Sequence, residues 1–246
     1  LRKIYNWGIG EDLVTRNPCD RLPAPAKERQ RDRVLNEVEL RALMVALPTS
    51  RVSRPVQLIL QLQLLTAQRC GEVLRARWDQ IDLTGTWWTI PAEMAKNGLS
   101  HRVPLSPQAV AVLEEARQLS PSSATVFPSP RADKPMVITT VGLAVRRNAG
   151  DFAAVGGFKP HDLRRTAASH LTGMGFPRLV VSKLLNHAEG GVTAIYDRHS
   201  YDQEKREALV AWGERVDAMG TPACLSRLAE DVKRGLACRG DPSGLK

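Results

Sequence analysis

The residues best suited to chemistry lie in LLNHAEGGVTAIYDRHSY, 184 to 201, where His187 precedes Tyr196 by nine residues across a Gly190-Gly191 loop. A tyrosine is a poor nucleophile at neutral pH, because with a pKa near 10 only about 0.1% is phenolate. If Tyr196 attacks an electrophile, the rest of the chain must bring positive charge and proton donors to it. Candidate groups recur where helices or hairpins end. LLTAQRCGEVL sets Arg69 at the junction of two apolar helices, and MAKNG sets Lys96 at a hairpin tip. HDLRR sets His161 and Arg164 three apart on one face of a helix's first turn, and LLNH ends a helix on His187.

Taken singly, each group has a plainer reading. Arg69 would pair with Glu72, Lys96 would be solvated, His161 and Arg164 would form a surface or capping pair, and His187 would complement a helix C-terminus. The joint order and spacing of the segments point beyond those readings.

The elements that must position these groups follow from capping and periodicity. Residues 1 to 22 read as the end of a helical unit with an apolar face at Ile4, Trp7 and Ile9, followed by a charged, Pro-containing linker through residue 33. Asn36 caps an amphipathic helix that ends at Pro48, and residues 55 to 67 form a core helix, apolar nearly all round. A break at Gln68 and Arg69 leads into a second helix, CGEVLRARW. TWWTIP and HRVPLS, flanking Asn97-Gly98, predict a β-hairpin, and Pro107 opens the next helix. Residues 120 to 135 read as loop. Helices are expected in TTVGLAVRRNAG, from Pro160 to the glycines 173 and 175, from Pro177 to His187, briefly in VTAIYDRH, and through a stripe at Leu209, Trp212 and Val216.

Composition narrows the partners. The 246 residues carry 35 Lys+Arg against 26 Asp+Glu, a formal charge of +9, so a polyanion is the expected partner, nucleic acid ahead of an anionic membrane. Cys19, Cys70, Cys224 and Cys238 show no disulfide or zinc spacing, which fits a reducing cytoplasm. No run approaches the ~18 apolar residues of a membrane span. The opening LRKIYNW, without a starting Met, reads as the interior of a longer protein.

Together these segments resemble the signature boxes of the tyrosine recombinases, the phage-integrase family. The match comprises LLTAQRCGEVLRARWDQID, the hairpin lysine, His-x-x-Arg, and the second histidine nine residues before a tyrosine, over roughly residues 34 to 205. The ending VTAIYDRHSY and the opening YNW are most similar to integrases of prophages and genomic islands. The resemblance implies an α+β fold, mainly helical, with a small antiparallel sheet at one edge. It also implies three parts: residues 1–33 as the remnant of a core-binding domain plus linker, 34–220 as the catalytic domain, and 221–246 as a tail. That tail would dock on a neighbouring protomer or fold back in cis.

What the resemblance implies for the reaction is attack by Tyr196 on a DNA phosphodiester, leaving a 3′-phosphotyrosyl link and a free 5′-hydroxyl. Arg69 and Arg164 would brace the phosphate, Lys96 would protonate the leaving oxygen, and His161 and His187 would share proton transfer and phosphate bonding in either order. No cofactor, metal or ATP is called for, because the phosphotyrosine stores the ester energy. The implied partners are double-stranded DNA attachment sites and three further copies of the chain on DNA, with a monomer in free solution. Two departures stand out. Asn186 replaces the family's usual Gly, with consequences expected for the turn alone, and Gln68 occupies a position expected to tolerate change. Three alternatives remain at this level: a type IB topoisomerase-like nicking-closing enzyme, a DNA-binding fragment without activity, and a metal-dependent nuclease using His161, His170, His187 and His199.

Overall fold

In a computed structural model that describes residues 1–23, 32–130, 132–187 and 199–220, the chain divides into two compact units, Leu1–Asp32 and Arg33–Lys246. In the first, helix α1 (Arg2–Gly10) is tied to the following turn by Arg2, whose guanidinium donates to the carbonyl oxygen of Cys19 at 2.9 and 3.1 Å. Ile4 and Trp7, on its apolar face, are exposed.

The second unit is built around α3 (Arg54–Thr66). Leu58, Ile59, Leu60, Leu62, Leu64 and Leu65 are all buried, so the helix is enclosed on nearly every side, with Arg54, Pro55 and Gln61 partly exposed. At roughly 1.5–3 kcal/mol per buried large aliphatic side chain, α3 is the main apolar contribution of any single element. It packs against α5 (Pro107–Leu119), α7 (Pro160–Gly173) and α9 (Asp202–Met219). The stripe expected on α9 is the buried one: Leu209, Trp212 and Val216 face inward, and the Trp212 indole donates to the Leu64 carbonyl at 2.8 Å. Helix α2 (Glu37–Thr49) begins with a reciprocal cap in which Asn36 Oδ1 accepts from the Glu39 amide and Glu39 Oε2 accepts from the Asn36 amide, both at 2.9 Å.

The expected hairpin is present as part of a three-stranded antiparallel sheet in the order β1 (Ile81–Asp82), β2 (Trp87–Ile90), β3 (His101–Pro104). Trp88 pairs with Val103, and both are buried. Between them and the next pair the faces alternate, leaving Thr89 and Arg102 on the outer side. Arg102 and Arg206 lie over the Trp87 ring with centroid distances of 4.1 and 4.5 Å.

Two sequence expectations need correction. The helix expected across CGEVLRARW is the short α4 (Cys70–Leu74), followed by a 3₁₀ turn at Trp78–Gln80. The stretch 120–135, expected as loop, contains a two-stranded ribbon, β4 (Pro128–Ser129) with β5 (Ala132–Pro135). Its pairing is short and Pro-rich, which leaves almost no alternation to detect. Helix α6 (Ile138–Arg147) follows, and α8 (Arg178–Leu184) ends just before His187. The short helix expected in VTAIYDRH and the tail 221–246 lie outside the described residues.

Candidate functional site

The end of α8 is the meeting point of the candidate segments. A helix leaves its last carbonyls without intrahelical donors. Here, side chains from distant parts of the chain supply them. The Leu184 oxygen accepts from Gln68 Nε2 and His101 Nε2, each at 3.0 Å. Leu185 accepts from the Arg164 guanidinium, and Asn186 accepts from Asn97 Nδ2 at 2.9 Å. The turn itself is a Schellman cap: the His187 amide donates to Ser182 and the Asn186 amide to Lys183, both at 3.1 Å, with Asn186 left-handed at φ 47°. Asparagine is the residue next best to glycine in that conformation, so the departure from the family pattern keeps the turn and adds an amide.

Arg69 sits at the start of α4, just beyond Ala67, whose φ of 56° reverses the chain after α3. Glu72 holds it from two sides: Oε1 accepts from the Arg69 guanidinium at 2.8 Å and Oε2 from the Arg69 amide at 3.0 Å. The plain ion-pair reading of Arg69 is therefore true, and it serves to aim the guanidinium. Gln68, expected to be tolerant, is fully buried and bonded to both Thr66 and Leu184. Cys70, next to Arg69, is no rival nucleophile, because burial pushes its thiol up to about 12.

On α7, Arg164 is buried and donates to the Ala67 oxygen at 2.8 Å as well as to Leu185, joining the α3–α4 turn to the α8 turn. Each terminal nitrogen keeps a second hydrogen for another acceptor. Burial and the charge of Arg69 pull its pKa down to about 10, only partly offset by Glu72. His161 and His187 are both solvent-facing. Both have pKa values below the ordinary range, His161 through partial burial and then Arg165, Arg164 and Arg69, His187 through partial burial and then Arg164 and Arg69. Two arginines and two histidines from three segments thus share one electrostatic field, with Glu72 as buried counter-charge. Lys96 is exposed on the β2–β3 loop, adjacent to the contact between Asn97 and Asn186. Tyr196 lies outside the described residues.

Gln68, Asn97 and His101 were not legible as site residues, because a buried polar group that caps a distant helix has no periodic signature in sequence. His101 must carry its proton on Nε2 to donate to the Leu184 carbonyl. Burial, and next Lys205, pull its pKa down to about 4. The charged form is thus favoured in the unfolded chain. Stability is complete above pH ~6.5 and is lost as pH falls toward 4, by roughly 3 kcal/mol at the acid end. Urea unfolding at pH 7 and pH 4.5 should show a smaller loss in His101→Gln than in the parent chain. Equal losses would remove His101 as the cause.

The sequence matches one family. The family model described as "Phage integrase family" matches residues 33–203. The chain belongs to that family. Among curated phage-integrase relatives, it is 35% identical to prophage integrase IntA of Escherichia coli K12 over 183 residues, 73% of this chain and 43% of that protein. It is 28% identical to tyrosine recombinase XerD of Lacticaseibacillus casei, covering 80% of this chain and 68% of the relative. The chain spans about half the length of the prophage integrases it matches. In fold it is similar to a lambda integrase (75–356) dimer bound to a COC′ core site, with TM-score 0.57, 22% identity and coverage of 76% and 69%. This agrees with the mainly helical α+β fold with a small antiparallel sheet expected from the family's sequence boxes. Two histidines of the nuclease alternative are engaged elsewhere: His170 bonds the Leu35 oxygen at 2.9 Å, and His199 pairs with Glu204 at 3.0 Å. Among the described residues no group of three or more His, Cys, Asp or Glu could hold a metal ion, and no helix is long and apolar enough to cross a membrane.

Proposed function

We propose that this chain is the catalytic part of a site-specific DNA recombinase that cuts and rejoins attachment-site DNA through Tyr196. The observation that carries the reading is that Arg69 and Arg164 lie close enough to feel each other's charge, with Glu72 as their buried counter-charge, beside two exposed histidines that their charge helps to keep neutral. A phosphodiester would be drawn to that charge, and guanidinium geometry suits its non-bridging oxygens. The charge of +9 and the lambda integrase likeness support DNA as the partner.

In the proposed step, Tyr196 Oη bonds to phosphorus and the bond from phosphorus to the 5′-oxygen breaks. The phenol proton leaves by way of one histidine, and Lys96 protonates the departing 5′-oxygen. Arg69 and Arg164 bond the phosphoryl oxygens as negative charge builds there. One ester replaces another, so the step reverses when a new 5′-hydroxyl attacks, with no nucleotide required. A lambda integrase tetramer bound to a Holliday junction supports a homotetramer on two sites as the working assembly. Location in the cytoplasm follows from acting on a chromosome or prophage.

The test is a nicked duplex spanning the junction between the chromosome and the element that encodes the chain, incubated in EDTA without nucleotide. A covalent adduct that protease digestion removes is expected. Bound DNA with no adduct, or an adduct that needs a divalent cation, overturns the reading. Relaxation of supercoils without joining of paired sites would favour the nicking-closing alternative.

A further inference from the structure

The β2–β3 loop that carries Lys96 runs from Pro91 to Ser100, long for a hairpin connection, and a lysine on its own has a flexible stem of four carbons. The residues on each side of Lys96 are nevertheless held. On one side, Ala95 is buried, and Met94 packs on the core and is fixed through its carbonyl by Arg75 at 2.9 Å. On the other side, Asn97 Nδ2 donates to the Asn186 carbonyl at 2.9 Å and lies 3.1 Å from Asn186 Oδ1. Asn186 Nδ2 donates back to Asn97 Oδ1 at 3.1 Å and to the Leu99 carbonyl at 3.2 Å. Asn97 Oδ1 also accepts from the Leu99 amide at 3.2 Å, which shapes the tip locally. The amide pair spans two segments 89 residues apart in sequence. It fastens the loop to the residue immediately before His187.

We propose that Asn97 and Asn186 form an amide clasp that holds Lys96 over the phosphate site, which makes both asparagines positioning residues for protonation of the leaving oxygen. The inference rests on the reading of Lys96 as general acid. Two anchors, the buried Ala95 and the clasped Asn97, bracket Lys96 so that its backbone is fixed while its ammonium stays free to reach out. Among the described residues, Lys96 makes no hydrogen bond or ion pair that would have to break first. The clasp uses amides rather than charges, so it holds the loop without placing a charge beside the lysine. The left-handed turn at Asn186 is what lets one residue cap α8 and present its side chain to the loop.

The test compares the nicked junction duplex with the same duplex carrying sulfur at the bridging 5′ position. A thiolate, with a thiol pKa near 8.5, leaves without a proton, so a defect in the acid is repaired by sulfur whereas a defect in folding or DNA binding is not. Lys96→Ala should cleave the oxygen substrate slowly and the sulfur substrate at the parent rate. Asn97→Ala should lose about tenfold on oxygen and recover on sulfur, with unchanged DNA affinity and a fold that still melts cooperatively. Asn186→Gly keeps the left-handed turn and the carbonyl that Asn97 uses, so it should lose only about threefold, and the double variant no more than Asn97→Ala. Parent-like rates for Asn97→Ala on oxygen, or equal slowing on both substrates, overturn the clasp while leaving the Lys96 assignment intact. Lys96→Ala slow on both substrates overturns that assignment, and the clasp with it.

Discussion

Tyr196→Phe should abolish covalent protein–DNA adducts while leaving DNA binding intact, and Tyr201→Phe should leave adduct formation in place. The nine-residue spacing from His187 favours Tyr196, and the surroundings of Tyr201 favour a structural role for it. Tyr201 precedes α9 in a left-handed conformation at φ 54°, stacks edge-on against His199 at 4.6 Å, and has the Lys183 ammonium 5.3 Å from its ring centre. It packs against the core, so movement toward a phosphate would break the start of the helix. The measurement is denaturing electrophoresis of the nicked junction duplex after incubation, with filter binding as the control for affinity. Adducts that survive in Tyr196→Phe and vanish in Tyr201→Phe would reverse the assignment.

Arg164→Ala should lose about 10²–10³ in the rate of adduct formation, the effect of removing one preorganised donor from a developing oxyanion. It should also lose stability, by roughly 3 kcal/mol, because the carbonyls of Ala67 and Leu185 are left without their donor in a buried place. Arg164→Lys should not restore the rate. An ammonium cannot span two carbonyls and still offer paired hydrogens to a phosphate. Arg69→Ala should match the loss of rate and also lose stability, since the Glu72 side chain is only 3% exposed and is left as a buried carboxylate without its partner. Single-turnover cleavage and urea midpoints on the same preparations separate the two effects. A full-rate Arg164→Ala would show that this guanidinium serves the fold alone.

Local signals in the sequence foretold most of the scaffold. Asn36 caps α2 as expected, Pro107 opens α5, and the texture around Asn97-Gly98 gives the hairpin. These features depend on neighbours within a few residues, where capping, φ restriction and alternation act. The short α4 and the ribbon at 128–135 escaped for the complementary reason: their limits are set by what packs on them rather than by their own residues.

The candidate site divides along the same line. From sequence alone come the family, the mainly helical α+β scaffold, and the six residues proposed for catalysis: Tyr196, Arg69, Arg164, His161, His187 and Lys96. They are legible because the chemistry fixes both their types and their spacing along the chain. Only the tertiary structure decides that Arg69, Arg164, His161 and His187 share one field, that Glu72 aims Arg69, and that Gln68, His101, Arg164 and Asn97 all converge on the carbonyls ending α8. The physical reason is the helix terminus itself. Its unpaired carbonyls must find donors once buried, and which donors reach them depends on packing between segments far apart in the chain.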